Sequence, residues 1–319
     1  MKSSFACIEE VLRLVNAAGE HVFHRGVENK QEGTMRIWHQ SFAVLQDQPA
    51  YARLLKSRIA NAVRADTEVV MHGQVPGTFS SAYPGKDLET SFFWWIHGLQ
   101  WILAARQAKA EGFDAMVLAT IQSPMIREIR NLVDIPVVGY GDGAFNLAGL
   151  YGRRTGLMIF NTSRVQVWNE QVREWGLSER FAGVCEANVT FQEVVGALAN
   201  HAERKGVIGK IVETGKRFVD ENEADVLVAG QMPMNVLLAE SGVHEIGGAT
   251  VIDGVATCFK LAESLWDLRR GSGMMQSRRG YFHSPADPER VEEVLKFYGI
   301  VGIGPKIPVI GSVKGTKTI

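Results

Sequence analysis

Eight short apolar runs, separated by stretches of helical periodicity, restrict this chain to one broad architecture. They are Met35–His39, Glu68–His72, Met116–Thr120, Pro136–Tyr140, Gly156–Phe160, Ala182–Ala187, Val226–Gly230 and Thr250–Asp253. Each is nearly continuous in apolar side chains and does not alternate, so each strand is buried on both faces. Helical patterns fill the gaps at Tyr51–Arg64, Phe92–Glu111, Pro124–Leu132, Val165–Trp175, Phe191–Asp220 and Pro233–Ser241. Strands of this kind alternating with helices predict parallel sheets covered on both sides. A 46% hydrophobic share over 319 residues is enough for two cores. The aromatic-rich start of the second helical stretch, Phe92–Leu103, reads as core packing.

A faint internal repeat divides these elements into two sets. Asp114 opens one strand and Asp225 another, and six residues later stand Thr120 and Gln231. A helix follows each, then a second apolar strand. Repeated βαβ units predict two pseudosymmetric lobes, each a parallel sheet flanked by helices, with a cleft between strand ends. The expected organisation is an N-terminal helical arm over 1–32, a first lobe over 33–139 plus 252–304, a second lobe over 140–251, and a tail over 305–319. In the arm, Phe5, Ile8, Val11, Leu12 and Val15 fall at helical spacing.

Several function classes drop out. A formal net charge of −1 gives no general attraction to nucleic acid or to an acidic membrane. No apolar run approaches the roughly 20 residues that span a bilayer. The N-terminus lacks the apolar core of a signal peptide, so a cytoplasmic setting is expected. Three cysteines, Cys7, Cys185 and Cys258, do not form a disulfide framework. The Gly139–Gly143 stretch, GYGDG, fails the dinucleotide spacing, and no P-loop, G-x-S-x-G elbow or H-E-x-x-H occurs.

Ligands of open α/β sheets bind beyond the carboxyl ends of the strands. Those positions hold His39, Gln40 and Ser41; His72, Gly73 and Gln74; Thr120, Gln122 and Ser123; Tyr140 and Gly141 of the glycine-rich loop; Asn161 and Thr162; and Gln231. Hydroxyl, amide and glycine groups suit a small polar ligand, because donors approach a carboxylate or an imide closely. Gln40, Ser41, Gln122, Ser123, Tyr140, Gly141, Asn161 and Thr162 are the expected substrate binders. His39 and His72 end strands expected to be neighbours, so they are candidates for a general base or for a bound divalent metal such as zinc. Glu186, Asp142, Asp253 and His283 are candidate third members.

Several blocks taken together resemble the hydantoin racemase branch of the aspartate/glutamate/hydantoin racemase superfamily. They are Arg36-Ile-Trp-His-Gln-Ser-Phe, Phe113-Asp-Ala-Met-Val-Leu-Ala-Thr, Ser123-Pro-Met-Ile-Arg-Glu-Ile-Arg, Ile135-Pro-Val-Val-Gly-Tyr-Gly, Arg154-Thr-Gly-Leu-Met-Ile-Phe, Gly176-Leu-Ser-Glu-Arg-Phe and Glu223-Ala-Asp-Val-Leu-Val-Ala-Gly. The resemblance runs over roughly residues 35–300. It implies a cofactor-independent enzyme whose active site lies between two lobes. It also implies a pair of cysteines flanking the substrate, one thiolate removing a proton and the other thiol returning one. The motif places them at Thr120 and Gln231, where this chain has no cysteine. A threonine hydroxyl is a very weak base and a glutamine amide takes no proton.

The expectation is therefore an enzyme acting on a hydantoin-like or thiohydantoin ring, or an amino-acid-derived small acid, by hydrolysis, C–S cleavage or decarboxylation. Its catalytic candidates are His39, His72, Thr120 and Gln231. The alternatives are an isomerase with bases other than cysteine and a non-catalytic binding protein. A small-molecule substrate, no nucleic-acid or membrane partner, and a homo-oligomer are expected.

Overall fold

The computed structural model describes residues 33–80, 87, 89–160, 165–300 and 307–316. The expected N-terminal arm lies outside the described residues. Chain contacts separate Met1–Thr34 from Met35–Ile319, and the account below concerns the second unit.

Two five-stranded sheets form its frame. The first contains β1 (Met35–Ser41), β2 (Thr67–His72), β3 (Ala115–Ala119), β4 (Val137–Gly139) and β10 (Val309–Lys314), in the order β10-β2-β1-β3-β4. The second contains β5 (Thr155–Ile159), β6 (Phe181–Glu186), β7 (Val226–Ala229), β8 (Glu245–Ile246) and β9 (Ala249–Ile252), in the order β6-β5-β7-β9-β8. Pairing is parallel except for β10 on β2 and β8 on β9. All eight expected strands form, and β3, β5 and β7 are buried at every residue.

The repeat is visible in the topology. If β1, β2, β3 and β4 are set against β5, β6, β7 and β9, both sheets read second-first-third-fourth. The two aspartates do the same work in each. Asp114 accepts a hydrogen bond from the backbone N–H of Arg36 at 2.9 Å, and Asp225 accepts those of Arg153 and Arg154 at 2.9 and 2.7 Å. Each carboxylate thus ties its strand to the start of the neighbouring one. Thr120 and Gln231 consequently stand at equivalent strand ends.

Ten α-helices are described. In chain order they are α1 (Pro49–Ala62), α2 (Ser91–Ala110), α3 (Ile126–Leu132), α4 (Tyr140–Tyr151), α5 (Val165–Glu174), α6 (Phe191–Ala199), α7 (His201–Asn222), α8 (Met232–Glu240), α9 (Gly254–Ser272) and α10 (Pro288–Phe297). Pro49 opens α1 with its ring-fixed φ, and Tyr51, Leu55 and Ile59 form its buried stripe at a spacing of four. The stretch read as one helix over Phe191–Asp220 is two. Thr190 and Glu193 make a capping box for α6, and the side chain of Asn200, in extended backbone, caps α7 by accepting from Ala202 at 3.0 Å.

The glycine-rich stretch after β4, expected as a loop, is instead the first turn of α4. Its glycines serve helix packing: a Cβ on Gly141 would lie 2.0 Å from the carbonyl oxygen of Ile121 and 2.4 Å from the Trp175 ring. Two elements lie outside the expected strands and helical patterns. Helix α9 returns to the first sheet, where the buried Glu263 carboxylate accepts from Thr67 Oγ1 at 2.7 Å and from the Arg64 N–H at 2.8 Å. The segment expected only as a tail contributes β10.

One large apolar cluster joins the two sheets, running from Ile37, Leu55 and Val117 to Leu157 and Val228. A second, containing Trp38, Trp101, Met116 and Ile129, lies under α2 on the other face of the first sheet.

Candidate functional site

The carboxyl ends of the two sheets are held together by cross-links from both sides. The Tyr140 hydroxyl, at the start of α4, donates to the carbonyl of Ala229 at the end of β7. Its ring lies where a side chain on Gly254 would be, 2.1 Å from that glycine's ideal Cβ. The Gln171 amide of α5 donates to the Gln122 carbonyl at 2.5 Å. Arg58 of α1 pairs with Asp253, the residue after β9, and lies 3.9 Å from Glu240.

Thr120 follows β3 directly. Its hydroxyl donates to the Gln122 side-chain oxygen at 3.3 Å, and its carbonyl accepts both the N–H and the hydroxyl of Ser123 at 3.1 Å. This turn places two non-glycine residues in left-handed backbone, Ser123 at φ 44° and Met125 at φ 55°. Such conformations cost about 1–3 kcal/mol each and concentrate at functional sites. Gln231, the matching residue after β7, sits at the N-cap of α8 with its side-chain oxygen buried and without a hydrogen-bond partner. Gln74, two residues beyond β2, is fully buried, and neither its amide oxygen nor its amide nitrogen has a partner. An unmatched buried polar group costs about 1–3 kcal/mol, so the Gln74 amide and the Gln231 amide oxygen keep hydrogen-bonding capacity that a ligand or a water would satisfy. The strand-end rule reached Gln74 by position, but only the missing partners single it out.

The other expected binders divide. Ser41 accepts the Ala43 N–H at 3.2 Å. The Gln40 amide is spent on the protein itself: its oxygen accepts from Trp38 Nε1 at 3.1 Å, and its nitrogen donates to the carbonyls of Ser41 and Gly73. Tyr140 is committed to Ala229, and Gly141 to helix packing. Asn161 and Thr162 lie outside the described residues.

The two histidines do not form a pair. Strand β1 extends to Ser41, so His39 lies inside it and not beyond its end. The parallel register sets His39 opposite Met71 and Gln40 opposite His72, so the two rings leave the sheet on opposite faces. His39 packs against Phe259 in the shared core, while His72 stacks on Trp38 at 3.4 Å and meets Phe113 edge-on in the other core. Both rings are fully buried without hydrogen bonds to their nitrogens. Burial lowers the pKa of His39 to about 3, helped by the nearby His72, and burial lowers that of His72 to about 4. They are neutral core side chains and cannot converge on one metal. Among the described residues no group of three or more His, Cys, Asp or Glu side chains could hold a metal ion. Of the proposed third members, Asp142 pairs with Arg130 at 2.8 Å, and Asp253 caps α9 and pairs with Arg58.

The described thiols stand at neither matched position: Cys185 is the next-to-last residue of β6, Cys258 lies in the second turn of α9, and both are buried. Burial raises the Cys185 pKa to about 11, and burial raises that of Cys258 well above the usual thiol value. Neither supplies a thiolate at neutral pH. Cys7 lies outside the described residues.

The family model described as Asp/Glu/Hydantoin racemase matches residues 49–262. The chain belongs to this family. Among its relatives, a hydantoin racemase from Pseudomonas sp. (strain NS671) is 26% identical over 218 residues, 68% of this chain and 81% of that protein. A hydantoin racemase from Paenarthrobacter aurescens is 24% identical over 77% of this chain and 98% of its own length. In fold, the chain is similar to allantoin racemase from Klebsiella pneumoniae, with a TM-score of 0.61, 18% identity and coverage of 79% of this chain and 94% of that one. Allantoin racemase from Pseudomonas fluorescens gives the same TM-score at 20% identity, over 79% and 98% of the two chains. The racemase family works without a cofactor. Its two-lobed parallel α/β fold is the one described above.

Proposed function

We propose that this racemase-family protein acts on a hydantoin-like ring, or a related amino-acid-derived acid, by a reaction that needs no thiol pair. The observation that carries this reading is the unmatched amide of Gln74 together with the unmatched amide oxygen of Gln231, at strand ends where no described thiol stands. A primary amide presents a donor and an acceptor side by side, matching the –CO–NH– edge of a hydantoin or a thiohydantoin. Thr120, Ser41, Gln122 and Ser123 add further polar groups near the same ends.

The same residues argue against taking a proton from carbon, because an amide and a neutral hydroxyl are poor bases. Of hydrolysis, C–S cleavage and decarboxylation, the first two require an activated water. Decarboxylation does not. The electron pair of the bond to a ring-borne carboxylate moves towards the ring carbonyl, carbon dioxide leaves, and the carbanion takes a proton from water. Amide N–H donors aimed at that carbonyl would stabilise the developing charge. Loss of carbon dioxide is therefore the preferred reaction.

The printed function of the relatives, hydantoin racemase, favours a second reading: isomerisation with a base other than cysteine. One experiment separates the two. Hydantoins and thiohydantoins, with and without a carboxylate on the ring carbon, are incubated with the protein in heavy water. Carbon dioxide, ammonia and sulfide are assayed, and deuterium at the ring carbon is followed by NMR. Carbon dioxide release, without exchange into substrates that lack the carboxylate, is the expected result. Exchange without carbon dioxide would overturn the proposal in favour of the isomerase. Ligand-induced thermal stabilisation with no product would leave a binding protein.

A further inference from the structure

The aromatic start of α2 does not pack as the sequence suggested. Trp101 is buried, but Phe92, Phe93 and Trp95 are 65%, 45% and 54% exposed. Beside them opens a groove of about 690 Å³, within the range that holds small molecules. Trp94 and Trp95 form one wall, α3 and α5 form others, and Trp175 and Phe282 complete the aromatic lining. Thr120 and Gln231 are not part of it.

The charges in the groove are unequal. Its cationic side chains, Arg127 and Arg130, are both engaged: Arg127 pairs with Glu174 at 3.7 Å, and Arg130 with Asp142 at 2.8 Å. Two more carboxylates, Glu128 and Glu170, line the groove and form no ion pair among the described residues. Four carboxylates against two guanidiniums leave a formal surplus of two negative charges. Both unpaired carboxylates are exposed, so they draw a cation towards the groove while each pairing stays modest and screened by salt. An anion would be repelled by the same surplus.

The groove also holds an internal example of what it can recognise. The Arg127 guanidinium lies 4.7 Å from the centroid of the Phe282 ring while pairing with Glu174. A cation between an aromatic face and a carboxylate is held by the ring quadrupole and by charge together. Trp95, Glu128 and Glu170 line the same groove, and among the described residues no protein cation pairs with them.

We propose that this groove binds a small organic cation, an ammonium or guanidinium carried on an apolar or planar body. The Trp94–Trp95 wall takes the body and Glu128 and Glu170 take the charge. The proposal does not rest on the reaction at the strand ends. It touches that site only through Gln122 and Ser123, which border both.

Tryptophan fluorescence and calorimetry on the full chain test it, with phenethylammonium and agmatine as cations, phenylpropionate as the anionic counterpart and phenylpropanol as the neutral one. Saturable binding of the cations is expected, with the anion and the neutral compound at least about tenfold weaker. Cation affinity should fall by about tenfold or more in the Glu128→Gln, Glu170→Gln double variant and again in Trp95→Ala, and it should weaken as salt rises. Both glutamates are on the surface, so the double variant keeps its fold, which circular dichroism verifies. Equal binding of phenylpropionate, cation binding unchanged in the double variant, or no saturation by either cation would each overturn the proposal.

Discussion

Replacing His72 with phenylalanine should make the protein less sensitive to acid, because His72 lies in the core as a neutral ring. The folded protein holds its pKa near 4, whereas an unfolded chain gives a histidine about 6.5. Between those values the unfolded chain binds a proton that the folded chain does not, so stability falls as pH drops below about 6.5 and stops falling near the folded value. From pH 7 to pH 5 the loss is about 2 kcal/mol for His72. His39, held near 3, adds a similar amount, about 4 kcal/mol for the two. Phenylalanine preserves the flat stack on Trp38 and removes the proton site. Urea unfolding at pH 7, 6 and 5, followed by tryptophan fluorescence, gives the slope directly. The variant should lose about 2 kcal/mol less than the parent between pH 7 and pH 5. If both proteins show the same slope, His72 titrates normally in the folded state and the buried, non-catalytic assignment fails.

Three other substitutions probe different joints. Gln74→Leu removes two unmatched polar atoms from a fully buried position, so it should raise stability by about 1–3 kcal/mol and abolish the thermal shift produced by hydantoin. A thermal melt with and without ligand checks both effects, and a destabilised variant that still responds to hydantoin would remove Gln74 from the site. Tyr140→Phe deletes the hydroxyl donor to Ala229 across the two sheets and should cost about 1 kcal/mol, read as a lower urea midpoint at unchanged slope. Glu263→Ala leaves Thr67, Arg64 and Lys260 without their shared carboxylate and should cost about 3–5 kcal/mol in the same assay.

Much of the frame was legible in the sequence because buried parallel strands have a strong local signature. Val226–Ala229 and Ala115–Ala119 could hardly be anything else, and each lies within one or two residues of its expected place. The repeated aspartates were legible as pattern, but their shared hydrogen-bonding role needed coordinates. The glycine-rich stretch misled because glycine permits both a loop and close helix packing, and only the nearness of Ile121 and Trp175 decides between them. The histidines misled for another reason. A one-residue difference in pairing register moves a side chain to the other face of the sheet, and sequence fixes register poorly. His39 and His72 are close in the sheet, yet the register parts them. The open amides of Gln74 and Gln231 could not be read from sequence at all, since a missing partner is a property of three dimensions.

The antiparallel strand β10 sets the order in which the molecule can be completed. Ser312 meets Glu68 across 244 positions of chain, at the edge of an otherwise parallel sheet. During synthesis β2 is made early and waits with one row of backbone donors and acceptors unpaired, while the whole second sheet is being built. An edge left open that long is a template for the wrong partner. Until Val309–Lys314 emerges, water must satisfy that row of donors and acceptors.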